Sequence, residues 1–434
     1  MAYDLRSMDP AAACGGRWVG NPPDVPIFGA AIDSRKISGG EIFVAIATDR
    51  DDGHRYLDRA AACGAAAAIV ERPNPSIAIA QLEVADSLRA LRAIAAARRR
   101  MLSRCEVIAV AGSYGKTTTK ELLALLLGRH CTFATEGNLN NSIGVPLSIL
   151  RIDESVHSRA VFEVGISHPG EMATIAEILA PQHVIFTGLS EKHLEFFPSK
   201  DALLEEKLLI CGSVKRIGGK IALPRRLAAA RQFLPFRENI LLPATQHAQF
   251  VLPDRSRGFS EDFSLCLAIC DHFSIGHGAI AERLSRWRPP HLRGEIYRHL
   301  PSGRHYYVDC YNSDLPALLN GAWTFMDRFK NVPRLFALGS MEELGPESEK
   351  IHRNAGRRLQ FSKGDRFVLI GGHVDAIAHE LLRRGLPGCD VKLCCSHAEM
   401  KLEIDRFAGA VFLKGSRIHQ MEMLVDFANC EKVL

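Results

Sequence analysis

The stretch Gly112-Ser113-Tyr114-Gly115-Lys116-Thr117-Thr118 sets two glycines, a lysine and a run of hydroxyls between the apolar run Val107–Ala111 and the leucine-rich run Leu122–Leu127. That order suits a phosphate. Glycines let successive backbone N–H groups turn toward one anion, and the helix that follows adds the partial positive charge of its N-terminus. Lys116 can neutralise the outer phosphates of a nucleotide, and the Thr117 hydroxyl can ligate Mg²⁺. The spacing is GxxGK, without the earlier glycine of the longer phosphate-binding pattern. Its place between a strand and a helix therefore carries the reading, against a plain glycine turn.

Three further groups could serve the same chemistry. Glu163 closes the apolar run Ala160–Val164, and His193 follows the run His183–Thr187. A carboxylate, an imidazole and a hydroxyl at neighbouring strand ends could share a hard divalent cation. Each alone reads more plainly, Glu163 as a solvated strand end and His193 as a satisfied loop histidine. The segment "TEGNLNNSIGVP" (Thr135–Pro146) is dense in asparagine, which offers donors and acceptors without charge; a turn-rich loop is the alternative. Arg98, Arg99 and Arg100 fall in the last turns of a helix capped by Asp86, where cations suit the helix dipole.

These residues need elements to hold them. Apolar runs alternate with helical patterns throughout, which predicts an α/β protein with mainly parallel sheets. Three spans are expected. The first, 1–104, contains the strand-like "EIFVAI" and "AAAAIVE" and the Asp86-capped helix. The second, 105–292, holds the phosphate loop and ends in the linker "WRPPHLRGE", where two prolines break any helix. The third, 293–434, has four strand-like runs, "YYVDCYN", "RLFALGS", "RFVLIGG" and "AVFLKGS". Ligands of open α/β sheets bind beyond the carboxyl ends of the strands, which is where the candidates above lie.

The totals narrow the class. At 434 residues the chain exceeds one core, and 47% hydrophobic with 24% charged residues is ordinary for a globular protein. A net charge of +5, spread along the chain, gives no case for nucleic acid as a partner. Twelve cysteines without a CxxC pair fit reduced thiols, and the adjacent Cys394 and Cys395 read as buried. No secretory signal and no membrane-length apolar run is found, so a cytoplasmic protein, a monomer away from any membrane, is expected.

On these residues the chain resembles the Mur ligases, a family that adds amino acids to the cytoplasmic peptidoglycan precursor. "DSRKISGGEIFVAI" and "DDGH" resemble its uridine-nucleotide domain. "GSYGKTTTKE", "GNLNNSIGVPLSIL", "FEVGISHPGEM" and "EKHLEFFPSKDALLEEKLLI" follow in the family's order, then "DCYNSDLPALLNG", "LGSMEELGPESEKIH" and "FLKGSR". The resemblance implies three domains: a small uridine-nucleotide domain, a central ATPase domain and a Rossmann-like domain. It implies transfer of the ATP γ-phosphate to a carboxylate and attack of an amine on the acyl phosphate. The best-matching branch joins D-alanyl-D-alanine to UDP-N-acetylmuramoyl-tripeptide with ATP and Mg²⁺.

The roles implied for single residues follow from position in those motifs. Gly112 to Thr118 would bind ATP, with Arg293, Asp309, Tyr311 and Asn312 facing the nucleotide from the far side. Thr117, Glu163, His193 and Lys207 would hold metal, Lys207 as a carbamate; unmodified, it would be an ordinary helix-surface lysine. Ser34, Arg35, Gly53 and His54 would line the uridine site, and Asn138, Asn140 and Asn141 the central cleft. Lys414, Ser416 and Arg417 would meet the dipeptide or the cleft rim, or form a strand-to-helix turn. The chain departs from the pattern at Ser340, at one residue inserted before Pro316, and between Ser213 and Phe263, where the asparagine-bearing segment that helps hold adenine is not found. Other acceptors, a non-catalytic nucleotide-binding paralogue and a phosphate-loop kinase or GTPase are the competing readings.

Overall fold

The computed structural model describes residues 4–244 and 247–433 and builds three β-sheets in succession along the chain. The first contains β1 (Arg17–Val19), β2 (Ala30–Ala31), β3 (Ile42–Val44), β4 (Ala67–Val70) and β5 (Ala80–Glu83) in the order β1-β5-β4-β3-β2. Only β1 runs antiparallel to its neighbour. Helix α1 (Ser87–Met101) follows, opened by Asp86, whose side chain accepts from Arg89 N. Its apolar residues Leu91, Ile94 and Ala95 share one core with Met172, Ile175 and Ile178 of the central unit, so the two units pack as neighbours.

The second sheet holds β6 (Glu106–Ala111), β7 (Thr132–Ala134), β8 (Arg159–Glu163), β9 (His183–Phe186), β10 (Ile221–Ala222) and β11 (Ile240–Leu241). Their order is β11-β10-β9-β6-β8-β7, and every pairing is parallel. Burial on both faces explains why β6, β8 and β9 read as unbroken apolar runs. Helix α2 (Lys116–Leu127) leaves β6, α3 (Glu171–Leu179) precedes β9, and α4 (Lys200–Leu208) and α5 (Arg257–His272) follow it. Because β6 lies between β8 and β9, the loop after it opens into the crevice where the connections on its two sides diverge.

The third sheet comprises β12 (Glu295–His299), β13 (His305–Val308), β14 (Arg334–Gly339), β15 (Arg366–Ile370), β16 (Val391–Cys394), β17 (Ala410–Lys414) and β18 (Cys430–Lys432), ordered β16-β15-β14-β17-β13-β12-β18. Helix α6 (Leu315–Arg328) covers one face, where Phe336 stacks on Phe367 at 4.6 Å and Phe325 on Phe412 at 5.5 Å. Strand β12 is antiparallel to both of its neighbours, and β18 forms the antiparallel edge beyond it. Their half-exposed residues, such as "EIYRH", lack the apolar run that marks the other strands, so sequence patterning passes over them.

Two sequence expectations need correcting. Arg98 and Arg99 do not sit at the end of α1 for its own dipole. Both are buried; Arg98 donates to Ile152 O at 2.8 Å, and Arg99 to Leu179 O, Ala180 O and the Gln182 side chain at 2.7–2.9 Å. Arg99 thus caps the open carbonyls at the end of α3, a different helix, and only Arg100 faces solvent. Of the two adjacent cysteines Cys394 is buried and Cys395 exposed. Among the described residues no helix is long and apolar enough to cross a membrane.

Candidate active site

The turn after β6 is built to admit only glycine at two places. Gly112 has φ 138°, and a Cβ there would come 2.2 Å from Thr187 Oγ1 and 3.0 Å from the Gly188 backbone. Gly115, φ 75°, opens α2, and a Cβ there would lie 2.8 Å from Asp262 Oδ1. The loop is tied to the end of β9: Ser113 N donates to Gly188 O at 2.8 Å, and the Thr187 hydroxyl donates to Tyr114 O. The Tyr114 hydroxyl accepts from Arg226, which pairs with Glu261.

Lys116 curls back over this loop, its Nζ donating to Gly112 O at 3.1 Å and Ser113 O at 3.4 Å. Burial pushes its pKa down to about 8 against the pull of Glu163, with Lys192 and Arg293 adding to the depression. An ammonium surrounded by other cations is short of negative charge, which an incoming polyphosphate supplies.

Glu163, the last residue of β8, is buried rather than solvated. Its Oε2 accepts from Thr117 Oγ1 and its Oε1 from Asn140 Nδ2, both at 2.7 Å. The hydroxyl and carboxylate thus stand side by side as hard oxygen donors. Among the described residues no three His, Cys, Asp or Glu side chains gather closely enough to cage a metal. That donor set fits Mg²⁺, which takes one or two protein oxygens and completes its shell from phosphate and water.

Lys207, on α4, is not a surface lysine. It is 1% exposed, and among the described residues Nζ reaches only Gly112 O, at 3.5 Å. Burial, then the nearby Lys116 and Lys192, hold its pKa well below the ordinary lysine value. A buried amine in that state can be neutral and nucleophilic.

His193 lines the same cleft with φ 69°, and its Nδ1 lies 3.0 Å from Oε2 of Glu343, which belongs to the loop after β14. Burial lowers the His193 pKa, while the His193 ring beside it and the nearby Lys192 bring Glu343 to about 2, so a neutral imidazole faces a carboxylate. Lys192 Nζ stands 3.6 Å from that oxygen.

Across the cleft Lys414 bonds Asp309 at 2.9 Å, and the Arg293 guanidinium lies 4.4 Å over the Tyr311 ring. Burial raises the Asp309 pKa against the pull of Lys414. The residue inserted before Pro316 is absorbed locally: Asp314 caps α6 by accepting from Ala317 N and also meets the Ser190 hydroxyl at 3.3 Å. Arg293, Asp309, Tyr311, Asn312 and Lys414 line one cavity of about 1340 Å³ together with Ser113 to Thr118, Asn140, Asn141, Glu163 and His193.

Other expected residues lie elsewhere. Asn138 is exposed and off the cavity wall, whereas Asn141, on that wall, also accepts from Ile143 N and Gly144 N and shapes the turn. Arg417 pairs with Glu422, and Ser416 accepts from Glu342 N, so that segment forms the turn rather than the cleft wall. Ser340, at the departure from the motif, bonds Glu342 and His419. In the first unit Ser34 is buried and Arg35 pairs with Asp33. A Cβ on Gly53 would lie 2.7 Å from Ile46 N. His54 uses both ring nitrogens within the loop: Nδ1 with Asp52, and Nε2 accepting from Glu71 N and Arg72 N. It therefore offers no free nitrogen to a ligand.

Sequence reasoning missed Glu343, Asp314 and the wall formed by Leu252 to Asp262. The last lies in the shortened region, which still borders the cavity although it carries no recognisable motif. Glu343 stood within "GSMEELG", but nothing in the spacing said which of its two glutamates would turn inward.

Comparison with known proteins agrees with this geometry. The chain matches the Mur ligase family catalytic domain over residues 26–109 and the Mur ligase middle domain over 110–230. It is 38% identical over 388 residues to the UDP-N-acetylmuramoyl-tripeptide–D-alanyl-D-alanine ligase of Escherichia coli, covering 82% of this chain and 84% of that one. The Bacillus subtilis ligase of the same name is 29% identical over 378 residues, 80% of each chain. The crystal structure of MurF from Acinetobacter baumannii superposes over 98% of both chains with a TM-score of 0.82 and 26% identity. The chain belongs to the Mur ligase family.

Proposed function

We propose that the protein joins D-alanyl-D-alanine to UDP-N-acetylmuramoyl-tripeptide at the expense of ATP, in the cytoplasm; ligation of those two substrates is what its relatives' names describe for them. The observation that carries this reading is the single cleft that runs from Lys116 and Thr117 past Glu163 to Asp309 and Lys414. One cavity of that size accommodates a nucleotide and the end of a peptide together, since small-ligand pockets are commonly about 300–1,000 Å³. Residues 1–104, 105–292 and 293–434 are taken as the three domains, a division supported by one whole sheet falling in each span.

The obstacle is charge, because a carboxylate must reach the γ-phosphorus of a polyanion. The carboxylate oxygen attacks, the bond to the β–γ bridging oxygen breaks, and ADP leaves behind an acyl phosphate. The dipeptide amine then attacks the acyl carbon, loses a proton and expels inorganic phosphate. Lys116 and the N–H groups at the start of α2 offset the repulsion in the first step. Thr117 and Glu163, with His193, are the residues that would hold Mg²⁺, which supplies further neutralisation of the phosphates. Arg293, Asp309, Tyr311 and Asn312 face the nucleotide, and Lys414 anchors Asp309 in place. Ser34, Arg35 and the Gly53 backbone are assigned to the uridine nucleotide. Asn140 orients Glu163.

Lys207 is assigned as a carbamate. Its buried amine forms no ion pair with a carboxylate among the described residues, and conversion to a carbamate sets an anion among the neighbouring cations Lys116 and Lys192. ¹³C-labelled bicarbonate should give a carbamate resonance that Lys207→Arg lacks.

The activity is tested by supplying ATP, Mg²⁺, UDP-N-acetylmuramoyl-tripeptide and D-alanyl-D-alanine and omitting each in turn. Phosphate release should need all four. Release without the dipeptide would indicate a kinase or hydrolase instead, and no release with all present would remove the catalytic reading.

A further inference from the structure

The loop that carries His193 is the seam between the second and third sheets. Ser190 meets Asp314, Lys192 and His193 meet Glu343, and a Cβ on Gly345 would lie 3.0 Å from Glu195 Cα. Within this seam His193 and Glu343 both hold left-handed backbone, φ 69° and 64°, although neither is glycine. Uncommon backbone of this kind persists where surrounding contacts over-determine it. His193 Nδ1 and Glu343 Oε2 are both buried and stand 3.0 Å apart, out of line for a hydrogen bond, and neither has a hydrogen-bonding partner among the described residues, so the carboxylate acts on the ring by its charge. Lys192 Nζ, 3.6 Å from the same oxygen, keeps the carboxylate charged and in place.

We propose that Glu343 is a positioning residue that fixes the His193 tautomer, so that the imidazole is presented to the cleft correctly only when the third sheet is docked on the second. A carboxylate beside Nδ1 draws the proton onto that nitrogen. Nε2 is then left as the lone-pair donor, the form in which an imidazole can bind a cation. His193 lines the cleft while Glu343 arrives from the loop after β14. Docking and preparation of the imidazole thus become one event. This inference rests on the assignment of His193 to the metal side of the site.

The test reads the proton directly. Protein labelled with ¹⁵N-histidine, with the His193 resonances assigned through His193→Gln, should show Nδ1 protonated and Nε2 bare. Glu343→Ala should move His193 to the Nε2-protonated form that free imidazoles prefer, and Glu343→Gln, which removes the charge, should do the same. Turnover in both should fall about 10- to 100-fold, the usual cost of losing such an outer partner. An Nε2-protonated His193 in the wild type, or an unchanged tautomer in Glu343→Ala, overturns the proposal. The resonances need no nucleotide, metal or peptide, so that failure leaves the ligase reading standing. A protein that released no phosphate could still show the tautomer.

Discussion

Lys116 follows a glycine that no other residue can replace without strain, and its ammonium now rests on the carbonyls of its own loop. Its replacement by alanine should lower kcat/KM for ATP about a thousandfold, the scale of losing a charged contact in the transition state. Binding of the uridine nucleotide, read by calorimetry, should be unchanged because that site is assigned to the first sheet. Gly115→Ala should weaken ATP binding as well, since a methyl there meets Asp262 at 2.8 Å on backbone of φ 75°. At this scale the sequence was informative where chemistry demands a residue type at a fixed spacing. Lys116, Thr117 and Glu163 come together as the motif implied. It was uninformative where side chains are satisfied by neighbours distant in sequence. Arg417 closes on Glu422, His54 is consumed by its own loop, and Glu343 reaches a histidine 150 positions away.

Between elements, helix α1 does more than cover its own sheet. Arg99 ties it to the end of α3 through three acceptors, so Arg99→Ala should cost about 2–3 kcal/mol in urea unfolding, the scale of buried bonds to a charged donor. Strand β9 carries a second built-in stress. Burial, then His272 and Lys220, lower the His183 pKa to about 4, and its Nδ1 accepts from Lys220 N. An unfolded histidine titrates near 6.5, so between about pH 6.5 and 4 the unfolded chain binds the proton first and stability falls as pH falls. The loss should level off below about pH 4 at about 3 kcal/mol, and His183→Gln should flatten the curve over that window. The parallel strands were legible because burial on both faces leaves apolar runs, whereas β12 and β18 were not because both are antiparallel and partly exposed. The arginines of α1 were misread because a helix's own dipole is visible in sequence and a neighbouring helix's carbonyls are not.

Over the whole molecule the three sheets are arranged so that groups from the second and third share one cavity, with the first packed against the second through a common core. On the proposed assignment neither outer unit could perform the reaction alone, because the groups assigned to phosphate and metal belong to the second sheet while those assigned to face the nucleotide across the cleft belong to the third. The division into three was readable from the alternation of elements; the seam at Ser190 to Glu195 was not, since it depends on how two finished units meet. The account's central claim is that the precursor's carboxylate itself attacks the γ-phosphorus. The most direct test is to label the terminal carboxylate of UDP-N-acetylmuramoyl-tripeptide with ¹⁸O, run the reaction with unlabelled ATP and D-alanyl-D-alanine, and weigh the released phosphate. One ¹⁸O atom per phosphate is the predicted result; phosphate free of label, with the peptide product formed, would contradict it.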